Sequence, residues 1–537
     1  MSRAQQYPRL ILALVCLPVF IGALDLTIVS AVLPDVLRSL TIEIQKFDVA
    51  GWVVTGYFVS YAISMTFMGR VSDLAGRRMV YLLCLAIFFA GSWLVAVSPG
   101  WPTAVALRVM ALFQDHSASG FASLYALIAG RVVQAFGAGA MVPVSMALVA
   151  DLFPPAKRAL PLGVVGAVDT AGWVLGHLYG GIMVQFMSWP YLFWINLPVV
   201  FVIFCVTWWG LAGLPRANVK GGIDWIGVTL LGAALIFLNL GLGSPEISAA
   251  DAAVSSPQHT LYWIAGAAAA FAVFLLWQRR SRDPILDLRM FSSRNVSAAS
   301  AVNLLVGFCI MVALVSVPIF INVAGGADTM KAALVTGYLL CAFTIPMALA
   351  AIPGGWLSER LGYRTSVILG LLVGIAGFLM MSRWKVDMAA QAVAFFDHLR
   401  IGPASSDAAG TLFMAAGLAL AGVGVGLTIA PIGTAVVNGV GEQDRGMASS
   451  LVIILRLVGM SVSMSSMTAY GLRRMTVLSR EMLTPEDALD MEKTVKVAFD
   501  AVTKVTSEIA LISLAVIAAA VCVALLLRRA DAPLVSL

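Results

Sequence analysis

The sequence predicts an all-α protein that crosses a membrane about fourteen times, built as two six-helix halves with two further helices inserted between them. Three observations predict it. Of 537 residues, 60% are hydrophobic and only 12% charged, with a mean hydropathy of +0.94; an ordinary soluble domain carries roughly 25% charged residues. The apolar residues gather into about fourteen runs, each near the ~20 residues that a helix needs to cross the hydrocarbon of a bilayer. A charged ten-residue turn occurs twice between such runs, as "GRVSDLAGRR" at 69–78 and "GWLSERLGYR" at 355–364, in one register and 286 residues apart. Glycine, acid, glycine and arginine in matching positions point to an internal repeat.

The runs fall at 10–33, 50–68, 79–98, 122–150, 160–187, 191–211, 225–243, 260–278, 296–321, 332–354, 365–383, 411–437, 447–470 and 506–527. The first contains Asp25 and follows Arg3 and Arg9. It is too long for a signal-peptide core and has no clear small-residue cleavage site, so a retained first helix is expected. Six runs precede residue 212 and six follow residue 290. The expected domains are therefore a six-helix bundle at 1–211, a linker with two additional spans at 212–289, and a second six-helix bundle at 290–537. In each half the charged turn joins the second and third helices, which explains the constant offset. Parallel repeats of this kind are a plan of secondary transporters, with substrate handled between the halves. An even number of spans puts both termini on one side. With the termini inside, roughly 19 Lys/Arg lie in inner loops and tails and roughly 13 in outer loops, six of those in the long loop 471–505. The excess of basic residues on the inner side places both termini in the cytoplasm of a cell whose plasma membrane holds the chain.

Composition also excludes. The net charge of +6 is scattered through short loops and forms no basic stripe, so nucleic acid is not an expected partner. Cys16, Cys84, Cys205, Cys309, Cys341 and Cys522 all lie in apolar runs and never in close pairs, which suits small buried hydrophobes and indicates neither disulfides nor a metal site. Four scattered histidines and no nucleophile beside a base argue against an enzyme. Nothing resembles a nucleotide-binding loop, so no cofactor is expected and ATP is not the energy source.

Hydrocarbon rejects charge. At mid-span a charged side chain costs about 2.5–3.5 kcal/mol even on lenient scales, so Asp25, Arg131, Asp169 and Arg456 require partners or a wet cavity. Two roles fit them: permanent ion pairs that lock helices, or a proton relay in which Asp25 and Asp169 take up and release protons while Arg131 and Arg456 supply the counter-charge. The sequence does not pair them. His177 follows Asp169 by eight residues on one helix, an offset of about 80° at 3.6 residues per turn, so both can border one cavity, and histidine titrates in the physiological range. Gly163, Gly166, Gly172, Gly176, Gly180 and Gly181 form a smooth face for close helix packing, with a hinge as the alternative. Two outer segments stand out. Residues 99–121 suit an amphipathic surface helix; residues 472–505, with "EDALDMEKTVKVAFDAV", read as solvated loop helices.

On these motifs the sequence resembles the major facilitator superfamily, and within it the fourteen-helix drug:proton antiporters. Gly69, Asp73, Gly76, Arg77 and Arg78 are similar to its cytoplasmic loop signature. "LIAGRVVQAFGAGA" at 127–140 resembles its fourth-helix motif with Arg131 as the membrane arginine. "GWVLGHLYGG" at 172–181 resembles the antiporter motif of the fifth helix, and "LDLTIVSAVLPDV" at 24–36 the first-helix motif, with Asp25 as its acid. One position departs: His177 replaces the proline of the antiporter motif, which removes the kink credited to glycine-proline. The resemblance implies a latch in which Asp73 and its arginines tie neighbouring cytoplasmic helix ends together. The copy with Glu359 and Arg364 would serve the other half and has Tyr363 in place of a basic residue, which implies a weaker tie; read from the residues alone, Asp73 equally caps the next helix. A narrower likeness, carried by "LGHLYGG" and by residues 445–474, is to the mycobacterial exporters that act beside a triacylglyceride-carrying lipoprotein; it implies that the outer segment 384–410 extends the spans on either side outside the membrane, and it adds a docking site for a lipid carrier as the alternative for 472–505. The expectation is a proton-coupled exporter of hydrophobic or amphipathic compounds, with lipids set slightly ahead of drugs and a polar-solute symporter as the distant rival. The expected partners are the bilayer, the substrate, protons and a lipoprotein carrier outside the cell membrane.

Overall fold

A computed structural model of the chain describes residues 7–40, 47–112, 119–183, 186–212, 222–242, 257–324, 329–398, 408–482 and 490–528. Among the described residues there are sixteen α-helices and no strand. Ten helical stretches among them are long and apolar enough to cross a membrane. Helix is what a bilayer demands, because every backbone N–H and C=O inside hydrocarbon must be satisfied within the segment.

The helices are α1 (Pro8–Ser39), α2 (Phe47–Ala75), α3 (Arg77–Ala96), α4 (Trp101–Leu112), α5 (Ser119–Gly139), α6 (Met141–Leu152), α7 (Ala159–Met183), α8 (Pro190–Gly210), α9 (Trp225–Leu242), α10 (Pro257–Arg280), α11 (Arg294–Ala324), α12 (Thr329–Met381), α13 (Val386–His398), α14 (Ala408–Asn438), α15 (Arg445–Met482) and α16 (Met491–Ala524). The chain divides into two compact units, one of Met1–Ser293 with Val436–Ile454 and one of Arg294–Ala435 with Leu455–Leu537. In the first, α1 packs along α7, α3 along α5 and α8, and α9 along α10; in the second, α16 packs along α11 and α12.

Both charged turns break a helix in the same way. Gly76 separates α2 from α3 at φ 95°, and Gly362 kinks α12 at φ 79°; no other described glycine has positive φ. That backbone region strains a residue with a Cβ and is open to glycine. The two arms of α12 carry the runs 332–354 and 365–383. The two glycines are again 286 residues apart, so the repeat read in the sequence is a repeat of backbone geometry.

Three stretches differ from the simple reading of their hydropathy. The single run 122–150 is two helices, α5 and α6, interrupted at Ala140. Pro143 in the first turn of α6 has no N–H to continue the ladder, and its ring crowds the carbonyl four residues back. Residues 386–398 form the separate helix α13 and do not prolong α12, which ends at Met381 and passes through a turn closed by Ser382 N–H to Phe378 O and Arg383 N–H to Met380 O. Residues 399–407, the remainder of that outer segment, lie outside the described residues, as do 113–118 after α4 and 483–489 after α15. In place of separate loop helices at 472–505, α15 and α16 simply continue: α15 has 38 residues, about 57 Å at 1.5 Å per residue against about 30 Å of hydrocarbon. No Pro stops the ladder between Gly471 and Met482. Across this extension Arg474 pairs with Glu508 at 3.0 Å and Tyr470 donates its hydroxyl to Glu508 Oε2 at 2.8 Å.

Candidate functional site: a buried carboxylate and a cytoplasmic clasp

The first unit holds two polar clusters. In the first, Asp25 on α1 is fully buried and Arg131 on α5 is 1% exposed. Arg131 Nη1 donates to Asp25 Oδ2 at 2.6 Å and to Gln134 Oε1 at 2.7 Å, and Nη2 donates to the Asp25 carbonyl at 3.3 Å. The second carboxylate oxygen accepts from neutral donors only: Gln134 Nε2 at 3.0 Å and Asn196 Nδ2 of α8 at 3.2 Å. Gln134 Nε2 also donates to Ser92 Oγ of α3 at 2.8 Å. The guanidinium lies 3.9 Å from the Tyr57 ring centroid of α2 and 5.8 Å from that of Phe193, where the negative faces of the rings favour a cation.

Five helices therefore meet at one carboxylate. The close approach of α3 and α5 that brings Ser92 to Gln134 requires a glycine: a Cβ on Gly91 would overlap the Gln134 backbone. Charge inside a protein is tolerable where it is paired and its remaining lone pairs are satisfied; the Asp25 carboxylate meets both conditions, while Arg131 Nε has no hydrogen-bond partner among the described residues. Chemically, Oδ1 of Asp25 can take a proton only if Gln134 or Asn196 withdraws its N–H, because two donors already face that oxygen.

The second cluster surrounds the turn 69–78. Asp73 is 4% exposed and its partners lie on two fronts. Arg77 Nη1 pairs with Oδ1 at 2.5 Å. The backbone N–H groups of Gly446 and Met447 donate to Oδ1 at 3.0 Å and to Oδ2 at 3.2 Å. These are the second and third residues of α15, so Asp73 caps that helix from 373 residues away; the helix it caps is α15, and the one that follows it in sequence is α3. A carboxylate there satisfies orphan donors and meets the positive end of the helix dipole. Arg77 Nε also reaches Asp151 Oδ2 at 3.2 Å, Asp151 Oδ1 accepts from Arg445 at 2.8 Å, and Arg70 lies 3.6 Å from Asp444. Gly69 and Gly446 pack backbone to backbone, and a Cβ on Gly69 would overlap Ser450 Oγ. Arg78 faces elsewhere, donating to the Trp208 carbonyl at 3.2 Å with its guanidinium 5.2 Å from that ring. Burial pushes the Asp73 carboxyl above the ordinary carboxylate range, while Arg77 and the two backbone donors pull it back.

Glu359 and Arg364 are exposed, unlike Asp73. Asp169 on α7 is 2% exposed and Arg456 on α15 8%. Gly172 and Gly176 seat α7 on α1, where a Cβ would meet Ala23 and Phe20 O or overlap Thr27 Oγ1, and Thr27 donates to Trp173 O at 2.8 Å. Gly180 is buried. His177 and Gly181 lie within α7, and their side-chain positions fall outside the described residues. Sequence reading missed Gln134, Asn196, Ser92 and Tyr57 in the first cluster, and Asp151 and Arg445 in the second.

Residues 15–464 match the Major Facilitator Superfamily. The chain belongs to that superfamily. Among similar proteins, the triacylglyceride transporter of Mycolicibacterium smegmatis is 32% identical over 459 residues, covering 85% of this chain and 75% of that one. A probable triacylglyceride transporter of Mycobacterium leprae is 30% identical over 485 residues, covering 90% and 88%. The fold is also that of solved superfamily members: the human organic anion transporter MFSD10 superposes with a TM-score of 0.56 at 15% identity over 95% of this chain and 99% of that one, and the proton:xylose symporter XylE with 0.56 at 14% over 95% of each. This is a multi-pass membrane transporter, not an enzyme.

Proposed function

We propose that the protein is a proton-coupled exporter of hydrophobic lipids, triacylglycerides foremost, working by alternating access. The observation that carries this reading is the Asp25 cluster: a carboxylate in the membrane interior, held on one side by Arg131 and on the other by exchangeable amides of Gln134 and Asn196. Protonation of Asp25 frees Arg131 from its counter-charge, and the helices that meet there have cause to rearrange. Asp169, His177 and Arg456 serve as further members of the proton path. The lipid assignment rests on the relatives named triacylglyceride transporters. In this reading the chain has fourteen spans: six at 1–211, two inserted at 212–289 and six at 290–537. Both termini face the cytoplasm of the plasma membrane, and the continued helices α15 and α16 stand outside, beside a lipoprotein carrier. Asp73, Gly76, Arg77 and Arg78 with Gly69 form the cytoplasmic latch, Glu359 and Arg364 its weaker counterpart, and Gly172, Gly176, Gly180 and Gly181 the packing face on which α7 moves.

The test is proton release. Triacylglyceride added to purified protein in weakly buffered detergent should release protons, read with a pH indicator, and Asp25→Asn should abolish the signal while retaining lipid binding. Release of equal size from Asp25→Asn removes Asp25 from the coupling path.

A further inference from the structure

We propose that the end of α10 and the loop that follows it bind the headgroups of anionic phospholipids, through Arg279, Arg280 and Arg282, in the leaflet that they face.

The argument begins with α10. Tyr262 is 72% exposed, Phe271 46%, Val273 50% and Leu276 60%, the surface of a helix turned to lipid. Leu276 precedes Arg280 by four residues, about 6 Å along a helix axis. The guanidinium groups thus follow the last lipid-facing apolar residue by about one turn, the height at which headgroups begin.

The loop is fixed in place. Asp224, at the start of α9, accepts from Gly227 N–H, Trp277 Nε1 and Gln278 Nε2, each at 2.9 Å. Gln278 Oε1 in turn accepts from Leu286 N–H at 3.2 Å, and Asp287 N–H donates to Met447 Sδ at 3.0 Å. Ile285 and Met290 are buried beneath. This network engages two of the nearby acids. Asp224 spends its charge on three neutral donors, and Asp287 accepts from the Arg289 backbone at 2.8 Å; Asp283, next to Arg282 in the chain, forms no ion pair with a described residue.

The arginines are left over. Arg279, Arg280 and Arg282 are exposed, and none forms an ion pair with a described residue. Other arginines of the same unit behave differently: Arg70, Arg77 and Arg445 each lie within 4 Å of an aspartate. Three guanidiniums without an ion pair among the described residues, at the end of α10 and on the fixed loop after it, fit an anionic phosphodiester at headgroup height, which guanidinium recognises with paired N–H donors. A basic residue that serves only to set topology needs no fixed loop.

The experiment is native mass spectrometry of the delipidated full chain titrated with phosphatidylglycerol, with phosphatidylcholine as the neutral control. One basic residue at an anionic surface is worth roughly a fivefold change in binding, so replacing all three arginines with glutamine should lower phosphatidylglycerol binding on the order of 100-fold and leave phosphatidylcholine unchanged. The triple lysine variant should keep most of it. Phosphatidylglycerol binding of the glutamine variant equal to wild type overturns the proposal. So does competition by glycerol phosphate at the same concentration as the lipid, which would make the loop a site for soluble anions. If the glutamine variant does not insert, the wild type decides: phosphatidylglycerol binding that resists 0.5 M salt contradicts a headgroup site made of exposed arginines.

Discussion

Replacing Asp73 with asparagine should open the clasp at the start of α15 without unfolding the protein. Asp73 accepts N–H groups from both Gly446 and Met447. Hydrogen bonds to a charged acceptor contribute about 1.5–3 kcal/mol each, and an asparagine oxygen keeps one bond in neutral form, worth about 1 kcal/mol. The expected loss at the cap is about 2–5 kcal/mol, or at least on the order of 30-fold in the closing equilibrium at 1.4 kcal/mol per factor of ten. Arg77 retains Asp151 as a partner, so the loss stays local. Hydrogen exchange measured by mass spectrometry on peptides covering 442–450 reads these amides directly. They should exchange at least on the order of 30-fold faster in Asp73→Asn, with peptides covering Arg131 and Gln134 unchanged. Unaltered exchange at 446 and 447 would refute the capping argument and reduce the turn to a topology signal.

The pH dependence follows from burial, which holds the Asp73 carboxyl above the ordinary range near 3.9, so that protonation begins at a higher pH than for a free aspartate. The folded chain holds this proton more tightly than the unfolded chain, so Asp73 itself adds stability on acidification; the thermal unfolding midpoint should not fall through its titration in wild type relative to Asp73→Asn. Arg131→Met leaves Asp25 buried without its cation and should destabilise by about 3–5 kcal/mol, read as a lowered unfolding midpoint in detergent, with Asp25→Asn added in the same chain recovering a substantial part. Gly446→Leu should mimic Asp73→Asn in exchange at 442–450, because its side chain meets the Gly69 carbonyl.

How far the sequence speaks is clearest at particular residues. Asp25 and Arg131 are legible because a charge in an apolar run has an evident cost. Their pairing is not, since it spans 106 residues and depends on how α1 and α5 cross. Gln134 and Asn196 were passed over because a neutral amide raises no alarm in hydropathy. A signal was available for Gln134, three residues after Arg131 and so on the same helix face. The charged turn announced its own residues but not its target, because what Asp73 caps is backbone N–H, which every residue but proline carries. Pro143 was visible, yet hydropathy sums over it and joins α5 to α6. The continuations of α15 and α16 read as separate loop helices for the converse reason: leaving the bilayer changes composition, but nothing in the backbone ladder stops.

The most direct test of a proton-driven lipid exporter is transport in proteoliposomes. Purified protein would be given a fluorescent triacylglyceride under an imposed pH gradient, with a cationic dye in parallel and Asp25→Asn alongside. The lipid should move only with the gradient and only in the wild type. Lipid movement that ignores both the gradient and Asp25, or dye movement alone, would contradict the reading.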